Sequence, residues 1–157
     1  MSFSKVFDDA TATALEDVRR GRFDLQSEKD IQALVFHYAI LLAEKLGLPL
    51  KLHAEPTRAE QKPDLVFGDN EVIVELKLSK AATGGYTEAV KKWRGDVEKL
   101  RKYKSHWPTA RCIFLAVDEA NYHSAPSSAN YFNPSAENLR GGWKQLGEAT
   151  RFLLAEL

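Results

Sequence analysis

The sequence predicts an α/β protein in which helices flank a mixed central sheet, and three observations carry that reading. Stretches with apolar residues three and four apart are interleaved with short apolar runs of strand length. Two of those runs are separated only by Gly68-Asp69-Asn70-Glu71, a link suited to a hairpin. A further run arrives after a long helical stretch. It must therefore be reached by a crossover, expected to be right-handed, and lie parallel to the strand before it.

The elements follow in order. Residues 6–20 read as a helix, with Phe7, Ala10, Ala14, Leu15 and Val18 on one side and Gly21 as its stop. Ser27 is placed to cap a second helix over 28–46, with Asp30 three residues on. Ile31, Leu34, Val35, Tyr38, Leu41, Leu42 and Leu46 give that helix a wide apolar face, and Gly47 with Pro49 ends it. Residues 50–54 alternate like a strand, and residues 63–67 and 72–78 are the hairpin strands. Gly84-Gly85 breaks the chain, and Thr87 is placed to cap a helix reaching residue 104, with the stripe Val90, Trp93, Val97, Leu100 and Tyr103. Residues 113–117 read as a short buried strand. Residues 121–135, rich in Asn, Ser, Pro and Tyr, read as a long exposed loop. Residues 138–157 read as a last helix through Leu139, Trp143, Leu146, Phe152 and Leu153. No repeat, low-complexity tract or linker divides the chain, so 1–157 reads as one domain.

The totals narrow the setting. A chain of 157 residues with 44% hydrophobic and 28% charged content suits one soluble domain with a sizeable core. No run reaches membrane-spanning length, no leader pattern opens the chain, and the single cysteine, Cys112, leaves no internal disulfide or cysteine-rich metal site. A cytoplasmic protein without membrane contact is expected. Basic and acidic residues balance at 22 each, yet residues 77–111 carry ten basic against three acidic side chains. That local excess suits a phosphodiester partner, although charge runs are more often solvated helix faces.

The sharpest signal is the charge inside the two hairpin strands. Asp64 opens the first; Glu75 and Lys77 lie in the second. Burying such groups costs several kcal/mol, of order 1–3 or more each, unless they pair or bind metal. A two-residue turn at Asp69-Asn70, both tolerant of positive φ, pairs Gly68 with Glu71 and thereby sets Asp64 opposite Glu75. Opposed residues share a face with Cβ atoms about 5 Å apart, and alternation adds Ile73 and Lys77 to that face. Val72, Val74, Leu76 and Leu78 turn the other way, into a core. The converging acids and amine suit a divalent cation beside a scissile phosphate; the competing reading is a structural ion-pair network.

The αβββαβ order with Pro63-Asp64, ten intervening residues and Glu75-Leu76-Lys77 resembles the PD-(D/E)XK nuclease superfamily, the restriction-endonuclease-like fold, over residues 28–117. The resemblance implies metal-assisted hydrolysis with Mg²⁺, or Mn²⁺ in its place, and DNA ahead of RNA as substrate. It implies Asp64, Glu75 and the Leu76 backbone carbonyl as metal ligands and Lys77 as the group that orients the attacking water. Glu28, on the first core helix, joins the catalytic set as a further ligand or a holder of the metal's waters. On the helix after the motif, Lys91, Lys92, Asp96 and Lys99 are candidate substrate contacts. Gln32, one turn beyond Glu28, and Lys62, before the motif, are further candidates; a solvated helix position explains the first equally well, and a polar loop the second. His53 and Glu55 lie near the expected site without a partner spacing that assigns them. Cutting both strands of a duplex takes two sites, so a homodimer is expected. The alternative function is a nuclease-fold module that binds nucleic acid or a protein partner without turnover. A nucleotide hydrolase lacks support, since no glycine-rich phosphate loop follows a strand.

Overall fold

The protein is described by a computed structural model covering residues 2–58, 60–80 and 86–157, with the side chains of residues 86–89 outside the description. Two helices come first, α1 (Phe3–Arg19) and α2 (Glu28–Lys45). Three strands follow, β1 (Leu52–Ala54), β2 (Leu65–Phe67) and β3 (Val72–Ser79). The helix α3 (Tyr86–His106) leads to β4 (Arg111–Asp118), a short 3₁₀ turn at Ser135–Glu137, β5 (Trp143–Gln145) and β6 (Arg151–Glu156). The strands form one mixed sheet in the order β1-β2-β3-β4-β6-β5, parallel only between β3 and β4. Among the described residues, no helix is long and apolar enough to cross a membrane.

Helices cover both faces of this sheet. On one, α1 and α2 bury Phe7, Ala10, Ala14, Ile31, Val35 and Ala39 against Leu65, Phe67, Val72, Val74, Leu76, Ile113 and Leu115. On the other, α3 lays Trp93, Val97, Leu100 and Tyr103 over Val66, Ile73, Cys112, Phe114 and Ala116. Cys112 is buried there, in the packing role expected of it. α1 begins earlier than expected, at Phe3, because the Glu71 carboxylate accepts the Ser4 N–H at 2.9 Å and supplies a negative charge at the helix start. Gly21 stops it with φ 67°. At the start of α2, Asp30 accepts the Ser27 N–H at 2.8 Å and the Gln26 N–H at 2.7 Å, which fixes Glu28 as the first helical residue.

Several expectations are corrected. Leu41 and Leu46 are exposed, at 48% and 36%. Residues 34–43 are apolar on nearly every side of α2, so periodicity does not choose a face; the small Ala39 and Ala43 do, because they allow close approach. The segment 121–135 is not merely an exposed loop. Asp118, fully buried at the end of β4, accepts N–H bonds from His123 and Ser124 at 2.8 Å each and the Ser124 hydroxyl at 2.7 Å. Phe132 is buried and stacks on Phe114. The expected C-terminal helix over 138–157 does not form. Its place is taken by β5 and β6, with β6 antiparallel to β4. Gly141, Gly142 and Gly147 disfavour a helix, and at Gly141 a Cβ would lie 2.4 Å from the Leu154 carbonyl. The chain at 151–156 instead closes against the exposed edge of β4. The break at Gly84-Gly85 and the capping role of the Thr87 side chain fall outside the described residues.

Candidate active site

The site is built on the β2–β3 hairpin, and it has the register expected from sequence by a different turn. Gly68 and Asn70, not Asp69 and Asn70, take positive φ, at 64° and 63°, and the Glu71 N–H donates to the Phe67 carbonyl at 3.0 Å. The pairs Leu65↔Val74, Val66↔Ile73 and Phe67↔Val72 keep the register that points Asp64 at Glu75. A Cβ at Gly68 would press to 2.8 Å from the Phe3 ring, so glycine suits both the turn and the packing of α1 over it.

The ladder ends just before Asp64. Its N–H donates to the Val74 carbonyl at 3.1 Å, one residue out of step, and its carboxylate Oδ2 accepts the Leu76 N–H at 2.6 Å. Asp64 thus stands in for a missing strand partner and is held beside β3. A strand residue's N–H and C=O leave the same edge, so the Leu76 carbonyl faces the side on which Asp64 sits. Gln32, expected as a solvated position or a substrate contact, is buried and donates to the Asp64 backbone carbonyl at 2.7 Å. It positions the aspartate from α2.

Around this pair the structure gathers the expected Glu28, Glu75 and Lys77. Glu75 is 2% exposed. Burial, then the neighbouring Asp64 charge, pushes its carboxyl up to about 9, against the partial relief of Lys99 and Lys77. Asp64 is also raised, first by burial and against the Leu76 N–H bond and the Lys77 charge. Glu28 is raised by burial, with Lys77 opposing and Asp64 adding to the shift. Its Oε2 lies 3.4 Å from the Lys77 ammonium. Burial alone would lower Lys77, but Asp96, Glu28 and Asp64 outweigh it and the amine stays protonated above its ordinary range.

The helix α3 closes the cluster with residues that sequence reasoning placed elsewhere. Asp96, read as a substrate contact, is buried and its Oδ2 pairs with Lys77 at 2.8 Å. Lys99, also read as a substrate contact, turns inward to pair with Asp96 and lies 3.8 Å from Glu75. Tyr103, read only as part of an apolar stripe, brings its hydroxyl to 3.5 Å from Glu75, the limit of hydrogen-bond reach. Asp96, Lys99 and Tyr103 stand three and four apart along one helix face, a spacing they share with solvated positions, so the sequence alone does not mark them. Lys91, Lys92 and Lys62 are exposed. His53 is exposed on β1, and Glu55 is exposed and ion-paired with Lys29.

Four carboxylates, Glu28, Asp64, Glu75 and Asp96, thus face two ammonium groups, Lys77 and Lys99. The excess negative charge is relieved either by a proton on Glu75 or by a cation. Among the described residues, no group of three or more His, Cys, Asp or Glu side chains is placed to hold a metal ion. Carboxylate oxygens are nonetheless donors of the kind Mg²⁺ takes, commonly one or two of them with water completing the shell. Comparison with protein-family models, with curated proteins and with solved structures gives no match, so the chemistry rests on this geometry alone.

Proposed function

We propose that the chain is a metal-dependent nuclease of the PD-(D/E)XK kind that hydrolyses phosphodiester bonds, in DNA ahead of RNA. The observation that carries the reading is the meeting of Asp64 and Glu75 beside the Lys77 ammonium on a sheet face otherwise given to packing. The order of a helix, three antiparallel strands, a crossover helix and a parallel strand supports a restriction-endonuclease-like core.

In this reading Asp64, Glu75 and the Leu76 carbonyl would hold Mg²⁺, or Mn²⁺, and Glu28 would be a further oxygen donor. Such an ion supplies Lewis-acid charge to a phosphate oxygen and acidifies bound water. Lys77 orients the attacking water and answers the negative charge that grows in the transition state. Gln32 keeps Asp64 in place through its backbone carbonyl. Exposed Lys62, Lys91 and Lys92 meet backbone phosphates away from the reacting one. A homodimer supplies the second site that a double-strand cut requires.

The test is cleavage of DNA and RNA substrates with Mg²⁺ or Mn²⁺, in wild type and Lys77→Ala. Wild type should cut only with metal, and Lys77→Ala should lower the rate by about 10³-fold with little change in affinity. Equal behaviour of the two proteins on every substrate would end the assignment. One observation favours the second reading, a nucleic-acid-binding or protein-binding module without turnover: among the described residues no group of three His, Cys, Asp or Glu side chains is placed to hold a metal ion. A salt-sensitive DNA affinity that survives Asp64→Asn with Glu75→Gln, and no cleavage at any metal concentration, would select it.

A further inference from the structure

Among the described residues, the nuclease reading leaves a buried charge on α3 without a role. Asp96 is 6% exposed, and its two oxygens are divided between two lysines, Oδ2 for Lys77 and Oδ1 for Lys99. Stability does not explain such a group, since buried ion pairs seldom outdo apolar packing. Trp93, Val97 and Leu100 on the same helix already pack in an apolar cluster.

Lys77 needs an anchor. A lysine side chain has four rotatable bonds and loses about 2 kcal/mol of rotamer freedom when fixed. Glu28 lies at 3.4 Å, a weaker hold than the 2.8 Å contact to Asp96. The Lys77 side chain is only 13% exposed, so it has few other directions to take. Asp96 also pairs with Lys99, whose side chain keeps 35% exposure while its ammonium stands 3.8 Å from Glu75.

We propose that Asp96 is the positioning residue of this site: it fixes the Lys77 ammonium from the helix side and sets Lys99 against Glu75 before substrate arrives. The proposal rests on the nuclease reading for its effect on rate, but not for its effect on the lysines. Neutral Asn in place of Asp keeps the shape, removes the charge and turns an N–H₂ toward one of two cations, which should release at least one of them.

Two measurements on the full chain test it. The first is ¹⁵N relaxation of the lysine ammonium groups. In wild type Lys77 should be ordered and exposed Lys92 mobile; Asp96→Asn should make Lys77 as mobile as Lys92, and Asp96→Glu should restore order in part. The second is single-turnover cleavage, in which Asp96→Asn should lower kcat by about 10- to 100-fold with KM and the Mg²⁺ requirement unchanged, and Asp96→Glu should recover part of the loss. A mobile Lys77 in wild type overturns the proposal, as does an Asn variant with ordered Lys77 and full kcat. If Asp96→Asn does not fold, the wild-type relaxation and the Glu variant still decide. If wild type cleaves nothing, the nuclease reading fails, while the relaxation data alone decide whether Asp96 holds Lys77.

Discussion

The strand β3 divides the molecule into two faces that solve different problems. Val72, Val74 and Leu76 point beneath α1 and α2 into a face made almost wholly of apolar side chains. Ile73, Glu75 and Lys77 point toward α3, where packing gives way to a charged cluster toward the C-terminal end of the strand. The first face spends its surface on stability. The second gives up apolar burial for carboxylates that disfavour one another's charge, which is the arrangement expected where a site, not a core, is being built. Substitutions one residue apart should therefore act on different properties.

The largest effect expected on the charged face is the roughly 10³-fold loss of rate in Lys77→Ala, equivalent to about 4 kcal/mol of barrier. Its neighbour Leu76 should show the mirror image. Leu76→Ala leaves the backbone carbonyl in place and opens a cavity in the face packed by α1 and α2, at a side chain 1% exposed. Urea unfolding should register a loss of about 2–5 kcal/mol, with the metal requirement of whatever folds unchanged. A loss of less than about 1 kcal/mol would mean that this face is not the stabilising one.

The pH dependence sharpens the contrast. The folded state holds a proton on Glu75 that an unfolded chain, with its ordinary value of 4.5, would release, because burial and Asp64 push the group up to about 9. A folded value above the unfolded one stabilises fully below the unfolded value and loses that contribution as pH rises through the folded value. Metal-free wild type should thus melt at progressively lower temperature from pH 4.5 toward pH 9, with the raised Asp64 and Glu28 acting in the same direction. Glu75→Gln should flatten the slope and melt higher than wild type at the alkaline end, and Mg²⁺ should raise the alkaline Tm of wild type more than that of the variant. A slope untouched by the substitution would show that Glu75 does not carry the strain of this face.

The two faces were also unequally legible in the sequence. Alternation along 72–78 separated them residue by residue, because a period of two leaves no choice once the register is set. Register itself was readable from the hairpin link, although the turn uses Gly68 and Asn70. The contribution of α3 was hidden: a buried Asp96 and an inward Lys99 have the same spacing as a solvated i, i+3 pair, and only the packing partner decides which they are. The C-terminal strands were hidden for another reason. β5 has only three residues, too few to carry a period, and the spacing of Leu139, Trp143 and Leu146 imitates a helix. What settles 151–156 is the edge of β4, a partner more than thirty residues upstream.

The smallest effect should come from the outer side of α2, where the apolar face shades into surface. Leu41 is 48% exposed while Ala39 and Ala43, two residues to either side, are fully buried. Leu41→Gln keeps a good helix former and removes an apolar side chain that already meets water, so urea unfolding should change by no more than about 0.5 kcal/mol. The same measurement at two protein concentrations makes it informative about partners. A second copy covering Leu41, Leu46 and Leu50 would bury their exposed area, and Leu41→Gln would then lower stability by about 1 kcal/mol or more at the higher concentration and less at the lower. Indifference at both concentrations would place the contact of the expected homodimer away from α2.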